Sequence, residues 1–227
     1  MENQWQKFQG GMQIARIPKV SGLYAWYYRP LTMDTQAVTK TLSSFLDAPA
    51  EVVTEIQMRY GVRLLSKSNL NLVYGQERRA GAEVIAEAVA CADAFLENLF
   101  KSGLIEFFTR PIYIGIAKNL YQRVYTQHYE SLDKLWNDDS AVSKHLNLFP
   151  DATVQSTMDK LNIPHSFALE ARVRRIAPRD LVVHIYQTDN LPAGIGPDSE
   201  YPESDPAPRR ALEQLLQLVA DPVCGRR

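Results

Sequence analysis

Apolar residues recur along this chain with two different periods, and the switches between them outline its elements. Residues 21–28, SGLYAWYY, are aromatic-rich, open on Ser21-Gly22 and stop at Arg29-Pro30, which predicts a strand. Val38, Leu42 and Phe45 then recur at helical spacing. Pro49 predicts the start of a second helix holding Val52 and Ile56, with Gly61 as its left-handed cap. A third helix carries Val84, Ile85, Ala88, Val89, Ala92, Phe95, Leu96 and Leu99 on one continuous face and closes at Gly103. Residues 111–116, PIYIGI, are the second predicted strand, and Asn119 caps a helix from 120 to about 136. A helical region continues to Asn162. Residues 167–176, FALEARVRRI, alternate apolar with polar, and 180–187, DLVVHIYQ, are β-branched, so with Ala177-Pro178-Arg179 between them a hairpin is predicted. Pro192, Pro197, Pro202, Pro206 and Pro208 mark 189–208 as a Pro- and acid-rich loop. The last helix, about 209–220, carries Leu212, Leu215, Leu216 and Val219, with Pro222 just beyond it.

Period-2 alternation also says which way the strand side chains point. Ile112, Ile114 and Ile116 share one face, leaving Tyr113 and Gly115 on the other; Leu23, Ala25 and Tyr27 share a face opposite Tyr24, Trp26 and Tyr28. With the more aliphatic faces against the core, Tyr24 and Tyr113 fall together on the outer face. Gly115 beside them would leave room for a ligand to approach.

Composition narrows the class. The 227 residues are 45% hydrophobic and 22% charged, enough for one sizeable core or a core with an elaborated subdomain. The start, MENQWQKFQGG, has no apolar signal core, and no stretch approaches the roughly 18 apolar residues of a membrane span. The expectation is a soluble, cytoplasmic protein, with Cys91 and Cys224 as reduced thiols. With 25 Lys+Arg against 26 Asp+Glu and a pI near 6.4, any contact with nucleic acid has to be local rather than a global field.

Four short segments supply such local chemistry in order: Gly22-Leu23-Tyr24, Tyr113-Ile114-Gly115, Arg123 in AKNLYQRV, and Glu213 nine positions before Pro222 in ALEQLLQLVADP. Together they resemble the GIY-YIG nucleases. AKNLYQRV is similar to the same joint in the incision module of excision-repair nucleases, whereas SGLYAWYY and RPIYIG look more like restriction enzymes on this fold. The resemblance implies an α+β fold, a small mixed or antiparallel sheet flanked by helices, with a large helical insertion between the first two core strands. It makes residues 1–30 and 110–227 the nuclease core, including the 189–208 loop, and 31–109 a helical insertion subdomain that selects substrate or partner.

The implied activity is metal-dependent DNA endonuclease, restriction-like in the first instance, with a structure-selective repair nuclease or a binding scaffold that does not cut as alternatives. The implied catalytic residues are Tyr24, Tyr113, Arg123 and Glu213, with Glu213 holding Mg²⁺ or Mn²⁺. One carboxylate can hold such an ion with waters completing its shell, and a guanidinium fork suits developing phosphate charge. Tyr24 would orient or deprotonate the attacking water, the second role needing positive charge to lower a phenol pKa of about 10. Tyr113 would position the phosphate. Lys118, Arg172, Arg174 and Arg175 are the expected DNA contacts, the arginines clustered on the predicted hairpin with Arg179. DNA is the expected partner, no membrane is involved, and a homodimer is left open.

The chain also departs from the pattern. Many members place His four residues after the arginine; Gln127 stands there, and His128, one further, would be rotated by about 100° and exposed. Ile116 replaces the lysine of the repair branch, and Gly225 stands where the family asparagine is expected.

Overall fold

The computed structural model describes residues 5–31, 34–45, 51–57, 63–69, 109–187 and 207–224. The chain divides into two compact units, Met1–Thr32 with Ala94–Arg227, and Met33–Asp93.

The larger unit is built on a four-stranded sheet, all antiparallel, in the order β1-β6-β2-β5. β2 spans Gly22–Tyr28, β5 Tyr113–Ala117 and β6 Leu181–Gln187, close to their predicted positions. β1, Trp5–Gln9, has no counterpart in the sequence expectation. WQKFQ offers only two bulky apolar residues, and Trp5 is 53% exposed, so this edge strand exists through its pairing with β6 rather than through a pattern of its own. A short α1, Gly11–Ile14, follows it.

The aliphatic-face expectation is reversed. Tyr24, Trp26 and Tyr28 are the buried side of β2, while Leu23, Ala25 and Tyr27 are only half-buried. The register places Tyr24 opposite Gly115 and Ile185, and Trp26 opposite Tyr113 and Val183, so Tyr24 and Tyr113 do share a face, but it is the one that helices cover. Size decides: each aromatic side chain removes about 150–250 Å² from water, far more than Ala25 across the strand. Their polar tips are then satisfied inside, Tyr24 by Arg123 and Trp26 by His128.

The helix after β5 is wound in two ways. Tyr121–Glu130 is a π-helical segment and continues into α3, Ser131–Trp136. α4, Ala141–Leu148, and α5, Val154–Leu161, follow, α5 ending on a left-handed Asn162 (φ 50°). The predicted first arm of a hairpin is instead α6, Phe167–Val173. Ser166 caps it by accepting from the Leu169 N–H at 3.1 Å, and Glu170 pairs with Arg174 one turn on, an i,i+4 spacing that only a helix satisfies. Phe167 through Ala171 are all buried, so alternation with polar residues was here the alternation of a helix closed in on every side. Arg175, at φ 64°, ends it. α7, Ala207–Ala220, starts two residues before its predicted position.

In the smaller unit the described residues form α2, Thr35–Ser44, capped by Asp34, and a hairpin of β3, Glu51–Gln57, with β4, Arg63–Asn69. The second helix predicted through Val52 and Ile56 is thus a strand, because the run Val52-Val53-Thr54 with Ile56 is β-branched and loses rotamer freedom in a helix. The insertion is therefore mixed rather than helical. The third predicted helix, 84–99, and residues 189–206 of the predicted loop lie outside the described residues. Among the described residues, no helix is long and apolar enough to cross a membrane.

Candidate active site

Four elements converge above the β2–β5 pair. Tyr24 rises from β2 and Tyr113 from β5, their rings 6.1 Å apart and 22° from parallel. Gly115, directly opposite Tyr24, is what lets the first ring lie down: a Cβ there would stand 2.5 Å from the Tyr24 Cζ and closer still to its hydroxyl. The expected role of Gly115, clearance for a ligand, is therefore corrected; the clearance is filled by Tyr24.

Arg123, one turn into the π-helical segment, reaches over the rings. Its Nε donates to the Tyr24 hydroxyl at 3.4 Å and its Nη1 to the Gln127 Oε1 at 2.7 Å. Partial burial works against its charge, but the hydroxyls of Tyr24 and then Tyr113 outweigh this and hold the guanidinium above its ordinary pKa. Tyr24 itself is 1% exposed. Burial first, and the neighbouring Tyr113 second, push its phenol well above the ordinary value, and the opposing pull of Arg123 is too weak to reverse them. At neutral pH Tyr24 is therefore a phenol that can orient a water, not a phenolate that removes its proton.

Glu213 comes from α7 and is half-buried, close enough to Tyr24 to contribute to raising its pKa. The helix and the residues just after it are pinned to β5 and the residues just before it at three points. Gln217 Nε2 donates to the Ile114 carbonyl at 3.4 Å, Arg110 pairs with Asp221 at 2.5 Å, and the Cys224 N–H donates to the Ile112 carbonyl at 2.7 Å. Gln217 also donates to Glu213 Oε1 at 3.2 Å, so one amide ties the carboxylate to the strand that carries Tyr113. Pro222, just past the helix, is buried in this joint. Gln217 was not singled out from the sequence, although its position one turn after Glu213 is the signal that finds it.

His128 overturns its expectation of exposure: it is 4% exposed. In an α-helix the residue four after Arg123 would return to its side. Gln127 does so here, accepting from the Arg123 Nη1 at 2.7 Å, while His128 turns inward on the buried face of Val124, four residues before it. Its ring stacks on Phe167 at 4.7 Å and stands nearly perpendicular to both Tyr24 (5.4 Å, 74°) and Tyr113 (5.2 Å, 84°). Burial, and secondarily Arg123, lower its pKa well below the usual range, so it is neutral.

The expected DNA contacts are placed differently. Lys118 is exposed at the end of β5. The arginines stand on α6 and its C-terminus, and each has an internal partner. Arg172 donates to the Leu135 carbonyl (3.3 Å) and the Ser143 hydroxyl (3.1 Å) and lies 4.2 Å over the Trp136 ring. Arg174 pairs with the buried Glu170, which also meets His165 at 3.1 Å, and Arg175 donates to the Pro150 carbonyl at 3.0 Å. They are brought near one another but not to the tyrosines' cluster by any of these bonds.

No family model, curated protein or solved structure matches this chain.

Proposed function

We propose that the protein is a metal-dependent DNA endonuclease of the GIY-YIG type, hydrolysing phosphodiester bonds in a restriction-like manner. The observation that carries this reading is that one guanidinium spans two phenols with a tethered carboxylate beside them, from four separate elements. Packing alone gives no reason to gather those groups at one point.

Among the described residues no group of three or more His, Cys, Asp or Glu side chains is placed to hold a metal ion. A lone, half-buried carboxylate held by Gln217 still suits Mg²⁺ or Mn²⁺, which bind through one or two carboxylates, waters and substrate phosphate. Bound on Glu213, such an ion would supply charge neutralisation at the cleaved phosphate. The chain's own residues account for the rest. Arg123 offers its remaining N–H groups to a non-bridging oxygen. The Tyr24 hydroxyl, its proton retained, orients a water, and Tyr113, half-exposed where Tyr24 is buried, meets the phosphate first. Lys118 is the proposed backbone contact, Arg174 and Arg175 contributing charge from α6, while Arg172, its donors and ring stack turned inward, holds α6 in place.

A second reading, a scaffold that binds DNA without cutting, is favoured by the 1% exposure of Tyr24 and by Gly225 in the place of the family asparagine. Incubating supercoiled plasmid and mixed-sequence duplexes with Mg²⁺, Mn²⁺ or EDTA separates the two. Cleavage that needs the ion and vanishes in Glu213→Ala is expected, with one recurrent short sequence at the ends. Cleavage confined to forks or flaps would indicate repair, and binding without cleavage under any ion would establish the scaffold. Residues 31–109 are proposed to select the site; a protein with this segment replaced by a short turn that cuts the same sequences would end that proposal. The proposed place of action is the cytoplasm, and sedimentation tests for a homodimer.

A further inference from the structure

We infer that Trp26 is a positioning residue: by donating its indole N–H to His128 Nδ1 it locks that ring as the neutral Nε2–H form, wedged against Tyr24 and Tyr113. The role rests on the nuclease reading; the lock itself does not.

The bond is 3.0 Å long and buried, between a side chain 0% exposed and another 4% exposed. Indole is a donor only, so the nitrogen it meets must present a lone pair, and the ring proton must sit on Nε2. A doubly protonated ring would turn two donors toward each other in a dry site, which costs the full penalty of an unmet buried group. Trp26 therefore does two things at once: it selects a tautomer, and it bars the imidazolium. Phe167 completes the clamp, stacking on His128 at 4.7 Å and on Trp26 at 5.6 Å.

The charged and titratable groups around His128 make the consequence specific. Its own helix brings Arg123, β2 brings Tyr24, and β5 brings Tyr113; Phe167 of α6 brings no charge, and Glu213 of α7 acts on Tyr24. With His128 held neutral, Arg123 remains the one cation of this group facing the phenols. It also follows that His128 cannot take a proton through Nδ1, whose lone pair is occupied. Its part is to hold the two tyrosine rings at their observed spacing.

Nitrogen–proton correlation spectra of labelled histidine, with His128 assigned by its loss in His128→Asn, test this directly. The parent protein should show one tautomer, Nε2–H, and no protonation until the pH is well below the ordinary 6.5. Trp26→Phe keeps the ring stack and removes the donor. It should mix the tautomers, raise the protonation midpoint, and lower kcat about tenfold with KM within twofold. A parent spectrum with the proton on Nδ1 overturns the lock without any variant, so a Trp26→Phe protein that fails to fold does not shield it. An unchanged tautomer and midpoint in folded Trp26→Phe overturns it as well. If the parent cuts and Trp26→Phe cuts with the same kcat and pH profile, the positioning role is wrong. A parent that cuts nothing removes the nuclease reading, and the spectra still decide the lock.

Discussion

Replacing Gly115 by alanine is the sharpest test of how this site is built. Gly115 has no positive φ, since Gly10 is the only described glycine that does, so alanine is acceptable to the backbone and should by itself stabilise by about 0.4–1 kcal/mol through the unfolded chain. Space opposes this. The added Cβ would lie 2.5 Å from Tyr24 Cζ and 2.9 Å from Cε1, where ordinary contact begins at 3.4 Å. The ring cannot swing away cheaply, because Tyr113, His128 and Arg123 hold it on its other sides. Overpacking of this kind costs about 1–3 kcal/mol, so the clash outweighs the entropic gain and a net loss of about 1–2 kcal/mol is expected. In urea, with a slope of about 1–3 kcal/mol per molar, the midpoint should fall by about 0.3–2 M at unchanged slope. In a Tyr24→Ala background the same change should cost nothing or stabilise slightly, giving a coupling of about 1–3 kcal/mol. A Gly115→Ala protein as stable as the parent would mean that Tyr24 does not lie across β5, and the site geometry would fall with it.

Three further outcomes follow from the same structure. Gln217→Ala should cut cleavage about tenfold and cost about 1 kcal/mol, by freeing Glu213 and leaving the Ile114 carbonyl without this donor; equal rates for variant and parent would show the carboxylate needs no tether. Arg172→Ala should lower stability by about 2 kcal/mol in thermal unfolding while leaving the salt slope of DNA binding nearly unchanged, because its donors and ring stack are internal; a flattened slope with intact stability would make it a phosphate contact. Tyr24 has a raised folded-state pKa, so its contribution is complete below the unfolded value of about 10 and is lost as pH climbs above it, when the unfolded phenol releases its proton first. Stability measured from pH 9 to about 11 should therefore fall less steeply in Tyr24→Phe than in the parent, and parallel curves would contradict the burial of that hydroxyl.

Much of the chain's local structure could be read from residue order alone. β2, β5 and β6, the helix after Asn119 and the helix bearing Glu213 each announce themselves by period, cap or breaker within their own stretch, and that is where local preference and final environment agree. The candidate site residues were legible for the same reason: each sits inside a short segment whose spacing is set by its own element. What the sequence left undecided depended on partners distant along the chain. β1 is a strand only because β6 offers it an edge, and α6 reads as alternating until burial on all sides accounts for its apolar positions. Alternation separates the two faces of β2 but does not say which is covered; that was decided by the larger apolar area of Tyr24 and Trp26 and by the donors and acceptors waiting for their polar tips. The same holds for His128. Five residues after Arg123 it lies off the arginine's side, and the packing of its ring among Trp26, Tyr24, Tyr113 and Phe167 is what buries it there. Tertiary contacts also set the chemistry: a phenol's preference for its proton is a property of how dry its surroundings are, and no spacing in the sequence encodes that.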